Sequence, residues 1–152
     1  FRSGFLTFGN STLTSEQYTA LITKLMGIIR SSVSCSSTPP QSLLLRAIKD
    51  PATNIQKNEY RNILEERYKI VRNFCNTHKC SCLEPLPFNS GYFMSFNVIG
   101  KDSEQLRKKL LNEYGIGVVS IDSKTLRVAF SSIEKEKLET VYEAIFKAAE
   151  EL

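Results

Sequence analysis

An arginine stands in the middle of an apolar run, Leu126-Arg127-Val128-Ala129-Phe130. Period-two alternation sends Leu126, Val128 and Phe130 to one face of a strand and Thr125, Arg127 and Ala129 to the other. A guanidinium cannot shed its charge, so a strand that holds one between small neighbours must offer it an anion or a wet cleft. Carboxylates suit it best, because the planar fork engages two oxygens at once. From the strand alone two readings stand: a cation that grips a ligand, or one that snorkels to solvent or pairs with a nearby Glu.

A second dense cluster is Cys75-Asn76-Thr77-His78-Lys79-Cys80-Ser81-Cys82, with three thiols and the only histidine of the chain. Zinc accepts Cys₃His sets. Its sites usually join two separated ligand pairs, however, and here every candidate comes from one short segment with no second half. A tetrahedral cage from such a stretch is strained. The expectation is therefore no metal, with reduced cysteines at a helix end and in the connector after it. Four cysteines in a core-rich chain do not call for a secreted disulfide scaffold either.

The elements that must position these residues are marked by caps and breakers. Thr14-Ser15-Glu16-Gln17 has the form of a capping box, and Tyr18, Leu21, Ile22, Leu25, Ile28 and Ile29 follow at helical spacing, predicting a helix over Ser15 to Ser32. The polar stretch from Ser31 to Pro40 ends in paired prolines, which forbid helix before them and allow one to start after. A short helix from Gln41 follows and stops at Asp50-Pro51. A longer one is predicted from Ile55 to Asn76, with Tyr60, Ile63, Leu64, Arg67, Tyr68, Val71 and Phe74 as its periodic positions. After a connector with Pro85 and Pro87, Tyr92 to Ile99 alternates as a strand.

The last third forms a unit of its own. Asp102 is placed to cap a helix carrying Leu106, Leu110, Leu111 and Tyr114, and Gly115 ends it. Gly117 to Ile121 and the Arg127 segment are further strands. Ser131-Ser132-Ile133-Glu134 has the form of another capping box, leading to a helix that buries Leu138, Val141, Tyr142, Ile145 and Phe146. This order gives an α+β layer, a small sheet of about three strands with helices on one side. At the other end, Phe1 to Gly9 is strand-like and apolar enough to be buried in a sheet, yet the helices after it supply no strand partner. That mismatch, and a first residue other than Met, suggest a piece of a longer protein.

The 152 residues are 41% apolar and 24% charged, with 20 Lys+Arg against 16 Asp+Glu. Basic and acidic residues alternate along the helices, which describes a solvated surface and not a nucleic-acid footprint. No run reaches the length of a membrane span, and no secretory leader is visible. A soluble, cytoplasmic protein is expected, with no nucleic-acid or membrane partner.

In order and wording the chain resembles the C-terminal part of a class I/II (fold type I) pyridoxal-phosphate-dependent aminotransferase over essentially its whole length. Phe1-Arg2-Ser3-Gly4-Phe5 resembles the aromatic-Arg-x-Gly-aromatic stretch after the family's Schiff-base lysine. Ser37-Thr38-Pro39-Pro40 resembles its Ser-Asn-Pro-Pro loop, Ser90-Gly91-Tyr92-Phe93 its Gly-Gly-Tyr/Phe-Phe strand entry, and Leu126 to Phe130 its Ile-Arg-Leu-aliphatic-Phe strand. Each motif alone is weak; the four in order are fairly specific.

The resemblance implies roles for single residues. Arg127 becomes the cation that grips the substrate α-carboxylate, and Arg2 a contact to the phosphate of pyridoxal 5'-phosphate. Phe93 and Thr38 become substrate-pocket residues, although Thr38 stands where Asn is commoner. Residues 1–65 are expected to be the C-terminal remnant of a large cofactor-binding domain of α/β type, including a strand, helices and the start of an interdomain helix. Residues 66–152 are expected to form the small domain. The intact enzyme would exchange amino groups between amino acids and 2-oxo acids, as a homodimer. The Schiff-base lysine would lie upstream of Arg2, so this segment holds no catalytic residue and should be inactive alone. The alternative is a non-catalytic α+β domain that binds a small carboxylate through Arg127.

Overall fold

The computed structural model describes residues 3–152. Two compact units divide the chain, one reaching Ile55 and the other spanning Gln56–Leu152, and the border falls in the first turn of a long helix.

The first unit is helical. Helix α1 (Ser15–Ser32) begins at a reciprocal cap in which the Gln17 amide donates to Thr14 Oγ1 and the Thr14 amide to Gln17 Oε1, at 3.3 and 2.9 Å. Its predicted bounds are those observed. Helix α2 (Thr38–Lys49) starts earlier than the sequence suggested, because Pro39 and Pro40 lie inside its first turn instead of preceding it. The first-turn N–H groups have no helical acceptor in any case, so the prolines cost nothing there. The N-terminal segment departs further from expectation. Ser3 to Asn10 forms no strand, and Phe5 is 81% exposed. A strand persists only where a neighbour takes up its backbone N–H and C=O groups, and the first unit holds no described strand to do so.

Helix α3 (Ala52–Thr77) extends slightly beyond its predicted bounds at each end and buries only Val71, Phe74 and Cys75, toward its C-terminus. The second unit continues with β1 (Leu83–Pro85), β2 (Met94–Val98), α4 (Ser103–Tyr114), β3 (Val119–Asp122), β4 (Thr125–Val128) and α5 (Leu138–Glu150). The strands form one antiparallel sheet in the order β1-β2-β4-β3. The α+β reading holds, with a fourth strand. Strand β1 escaped the sequence reading because it has three residues and ends in Pro85, a residue that sheets tolerate at their edges.

Alternation in β2 sorts the two faces. Met94, Phe96 and Val98 are buried, while Ser95 and Asn97 between them are only half-covered. In β4, Leu126 and Val128 are buried on the same side. That side packs against α3, α4 and α5 in one core, where Phe74, Phe96 and Phe146 meet edge-on at ring separations of 5.2 and 5.6 Å. Each such aromatic or aliphatic side chain withdrawn from water contributes about 1.5–3 kcal/mol.

Helix α4 is bounded as its sequence predicts. Asp102 accepts from the amides of Glu104 and Gln105, both at 3.0 Å, and Gly115 closes the helix at φ 67°, a left-handed conformation that glycine adopts without strain. Ser103 is the buried polar residue of this core, its Oγ 2.6 Å from Ser120 Oγ and donating to the Asp122 carbonyl. One predicted cap is absent. Ser131 to Glu134 is not the capping box of α5, whose N-cap is Lys137 and makes no side-chain cap. The amide of Ser131 is committed to the Tyr92 carbonyl at 3.2 Å and its carbonyl to the Arg67 guanidinium, so the segment serves tertiary contacts instead. No helix of the described residues is long and apolar enough to cross a membrane.

Candidate functional site

Arg127, half-buried, projects from the face of the sheet opposite the core. Across the ladder it stands beside Ser95 of β2 and Val119 of β3, neither of which brings a charge. The acidic residue of the β3–β4 hairpin, Asp122, is spent on the turn. Its carboxylate accepts from the Lys124 amide and Thr125 Oγ1 at 2.8 and 3.2 Å, the amide bond foremost in holding its pKa below the ordinary range. Among the described residues, Arg127 takes part in no ion pair. Arg107 shows what a satisfied fork looks like, with Nε and Nη2 each 2.7 Å from an oxygen of Glu104. Among the described residues, the pairing with a nearby Glu that the sequence allowed is not made at Arg127.

Phe93 joins Arg127 on this face. The Arg127 Cζ lies over the Phe93 ring, 4.9 Å from its centroid. Three observations fix the approach to β2 that delivers Phe93. Gly91 takes φ 91°, which favours glycine; the Tyr92 carbonyl is tied to Ser131; and the Tyr92 ring lies 6.5 Å from that of Tyr60. Of the predicted site residues, Arg127 and Phe93 are thus brought together. Thr38 belongs to the first unit, as the exposed first residue of α2. Arg2 lies outside the described residues.

A residue that sequence reasoning placed only among the periodic positions of α3 proves to be structural support. Arg67 donates through Nη1 to the Ser131 carbonyl, tying α3 to the segment directly after β4, and its Nε is buried without a hydrogen-bond partner. Its signal in the sequence was a cation at an apolar helix position.

The first unit holds a cleft of about 470 Å³ at the start of α2, lined by Ser36, Ser37 and Gln41 together with Ser3, Phe5 and Cys35. Hydroxyl and amide donors of this kind suit phosphate oxygens.

The Cys/His segment does not converge on a metal position: among the described residues no cluster of His, Cys, Asp or Glu could hold one. Cys75 is part of the core, and burial pushes its thiol up to about 11. The His78 ring stacks on Phe74 at 4.1 Å and its Nδ1 sits 3.0 Å from Thr77 Oγ1. Cys80 bridges to Leu83 in the turn, its thiol raised first of all by burial.

Comparison with known proteins adds to this geometry. The family model for "Aminotransferase class I and II" matches residues 1–145. A kynurenine aminotransferase from Pyrococcus horikoshii, solved with PMP, KYN as substrates and KYA as products, superposes with a TM-score of 0.75 at 15% identity, over 87% of this chain and 35% of its own. The LysN α-aminoadipate aminotransferase of Thermus thermophilus, complexed with N-(5'-phosphopyridoxyl)-L-leucine, gives 0.72 at 14% identity, over 87% and 36%. An aromatic aminotransferase of Pyrococcus horikoshii gives 0.70 at 19%, over 86% and 36%. At these identities the likeness establishes the fold, and the chain spans only 35–36% of the length of these structures. No curated protein matches it.

Proposed function

Because this chain belongs to the class I and II aminotransferases, we propose that it is the C-terminal part of a pyridoxal 5'-phosphate-dependent amino-acid aminotransferase. Residues 66–152 are its small domain and residues 1–65 the end of its large one. Arg127 grips the α-carboxylate of the amino-acid or 2-oxo-acid substrate. The observation that carries this reading is a permanent cation on the sheet face opposite the core, with no carboxylate partner among the described residues.

The donors present fit the acid group of such a substrate. Two oxygens can meet the N–H edge of the fork, which fixes the orientation of the bond to the substrate's α-hydrogen and turns binding energy into alignment. Phe93 forms the wall beside that clamp, and Thr38 contributes to the substrate pocket. Arg2 contacts the cofactor phosphate, where a fixed positive charge offsets a dianion. When bound, pyridoxal 5'-phosphate supplies the electron sink for the chemistry. The phosphopyridoxyl group in the Thermus structure supports that cofactor. The first lysine of this chain is Lys24, exposed on α1. It follows Arg2 in the chain, whereas the family's Schiff-base lysine precedes that arginine, so the 152 residues by themselves do not transaminate. The intact enzyme is a cytoplasmic homodimer.

The test is Arg127→Ala in the full-length enzyme, with steady-state kinetics and the cofactor absorbance as readouts. Loss of two charge-assisted hydrogen bonds, each about 1.5–3 kcal/mol, predicts a fall in kcat/KM of about 100-fold or more with the absorbance retained. Near-normal kinetics would remove the carboxylate role.

A further inference from the structure

Resting on the reading of Arg127 as the carboxylate clamp, we propose that Phe93 is its positioning residue. The ring holds the guanidinium in the attitude that leaves its N–H donors free for the ligand. The two side chains share the sheet face opposite the core, with Arg127 Cζ 4.9 Å from the Phe93 centroid. A guanidinium offers two separate surfaces. Its flat face is attracted by a π cloud, whereas its hydrogen-bond donors lie around the rim. A carboxylate in the position of Phe93 would occupy the rim and close the site. An aromatic ring under the cationic carbon restrains the long side chain and consumes no donor.

The surroundings point the same way. Val119, beside Arg127 on β3, cannot accept a hydrogen bond through its side chain, and Ser95 on the other side brings no charge. Phe93 itself remains 48% exposed. Its place is therefore not explained by core packing, unlike that of its neighbour Met94, which is 2% exposed. An arginine left free on such a face would sample many rotamers, and each ligand would have to bear the cost of ordering it. Stacking on Phe93 meets that cost in advance.

The experiment compares Phe93→Leu and Phe93→Tyr with the parent residue in the full-length enzyme. It measures KM and kcat for an amino acid, inhibition by propionate as a bare carboxylate probe, and the reaction rate of ethylamine, which has no acid group. Phe93→Leu is expected to raise the amino-acid KM and the propionate inhibition constant together, by about 3- to 30-fold, with kcat little changed. Phe93→Tyr keeps the π face and restores both, and in Phe93→Leu the loss is smaller for ethylamine than for the amino acid. An unchanged propionate constant in Phe93→Leu overturns the proposal, as does an equal loss with ethylamine, which would leave the ring a wall and nothing more. If Phe93→Leu is silent while Arg127→Ala loses activity, only the positioning role falls. Normal turnover in Arg127→Ala would instead remove the clamp itself.

Discussion

In α1, Ile22 and Ile28 are 54% and 60% exposed, whereas in α5 Ile145 and Phe146 are buried. Both helices carry apolar residues at helical spacing, and α1 has the better N-terminal cap. What separates them is cover. The second unit brings a sheet face and two further helices against α5, so its apolar stripe leaves water. In the first unit α1 buries nothing, and Pro40 is the buried residue of α2. Amphipathic pattern is thus a demand for a partner surface and not a guarantee of one. Capping decides where a helix begins; burial decides whether it is stable.

Dividing the chain tests that contrast most severely. The segment from Gln56 to Leu152 should fold alone, with dispersed amide NMR signals and a cooperative thermal transition, because its core is self-contained. Residues 1–55 alone should show helical circular dichroism at most and no cooperative melt. A sharp transition in the shorter piece would break the comparison. Next in size are single truncations. Phe130→Ala should cost the intact chain about 3–5 kcal/mol in urea unfolding of the second unit, and Ile28→Ala within about 0.5 kcal/mol of nothing. Smallest are the caps. Asp102→Ala should lower the urea midpoint by the equivalent of about 1 kcal/mol, while Thr14→Ala, which removes a more complete cap, should change only the helical signal of the first unit.

The sequence disclosed these features unequally, and the reason is physical. Helices α1 and α4 were legible because Thr14, Gln17, Asp102 and Gly115 mark their ends by local hydrogen bonding that the backbone cannot avoid. Arg127 was legible because a charge in an alternating apolar strand violates the pattern around it. Strand β1 was not, since Leu83 to Pro85 is held by pairing with β2 and has little propensity of its own. The false cap at Ser131 failed for a related reason: its local wording is correct, but Tyr92 and Arg67 claim its backbone groups from far along the chain. The contact of Phe93 with Arg127 lay between these cases. Alternation places the two on their faces, and only the strand register brings them within reach.

The outer strands of the sheet have a consequence for how the molecule behaves in a crowded solution. Strand β1 ends in Pro85, which has no N–H to give, and β3 carries an irregularity between Ser120 and Asp122. A neighbouring polypeptide seeking to extend the ladder would meet a missing donor on one border and a broken register on the other. The borders of the sheet therefore carry little risk of seeding polymerisation.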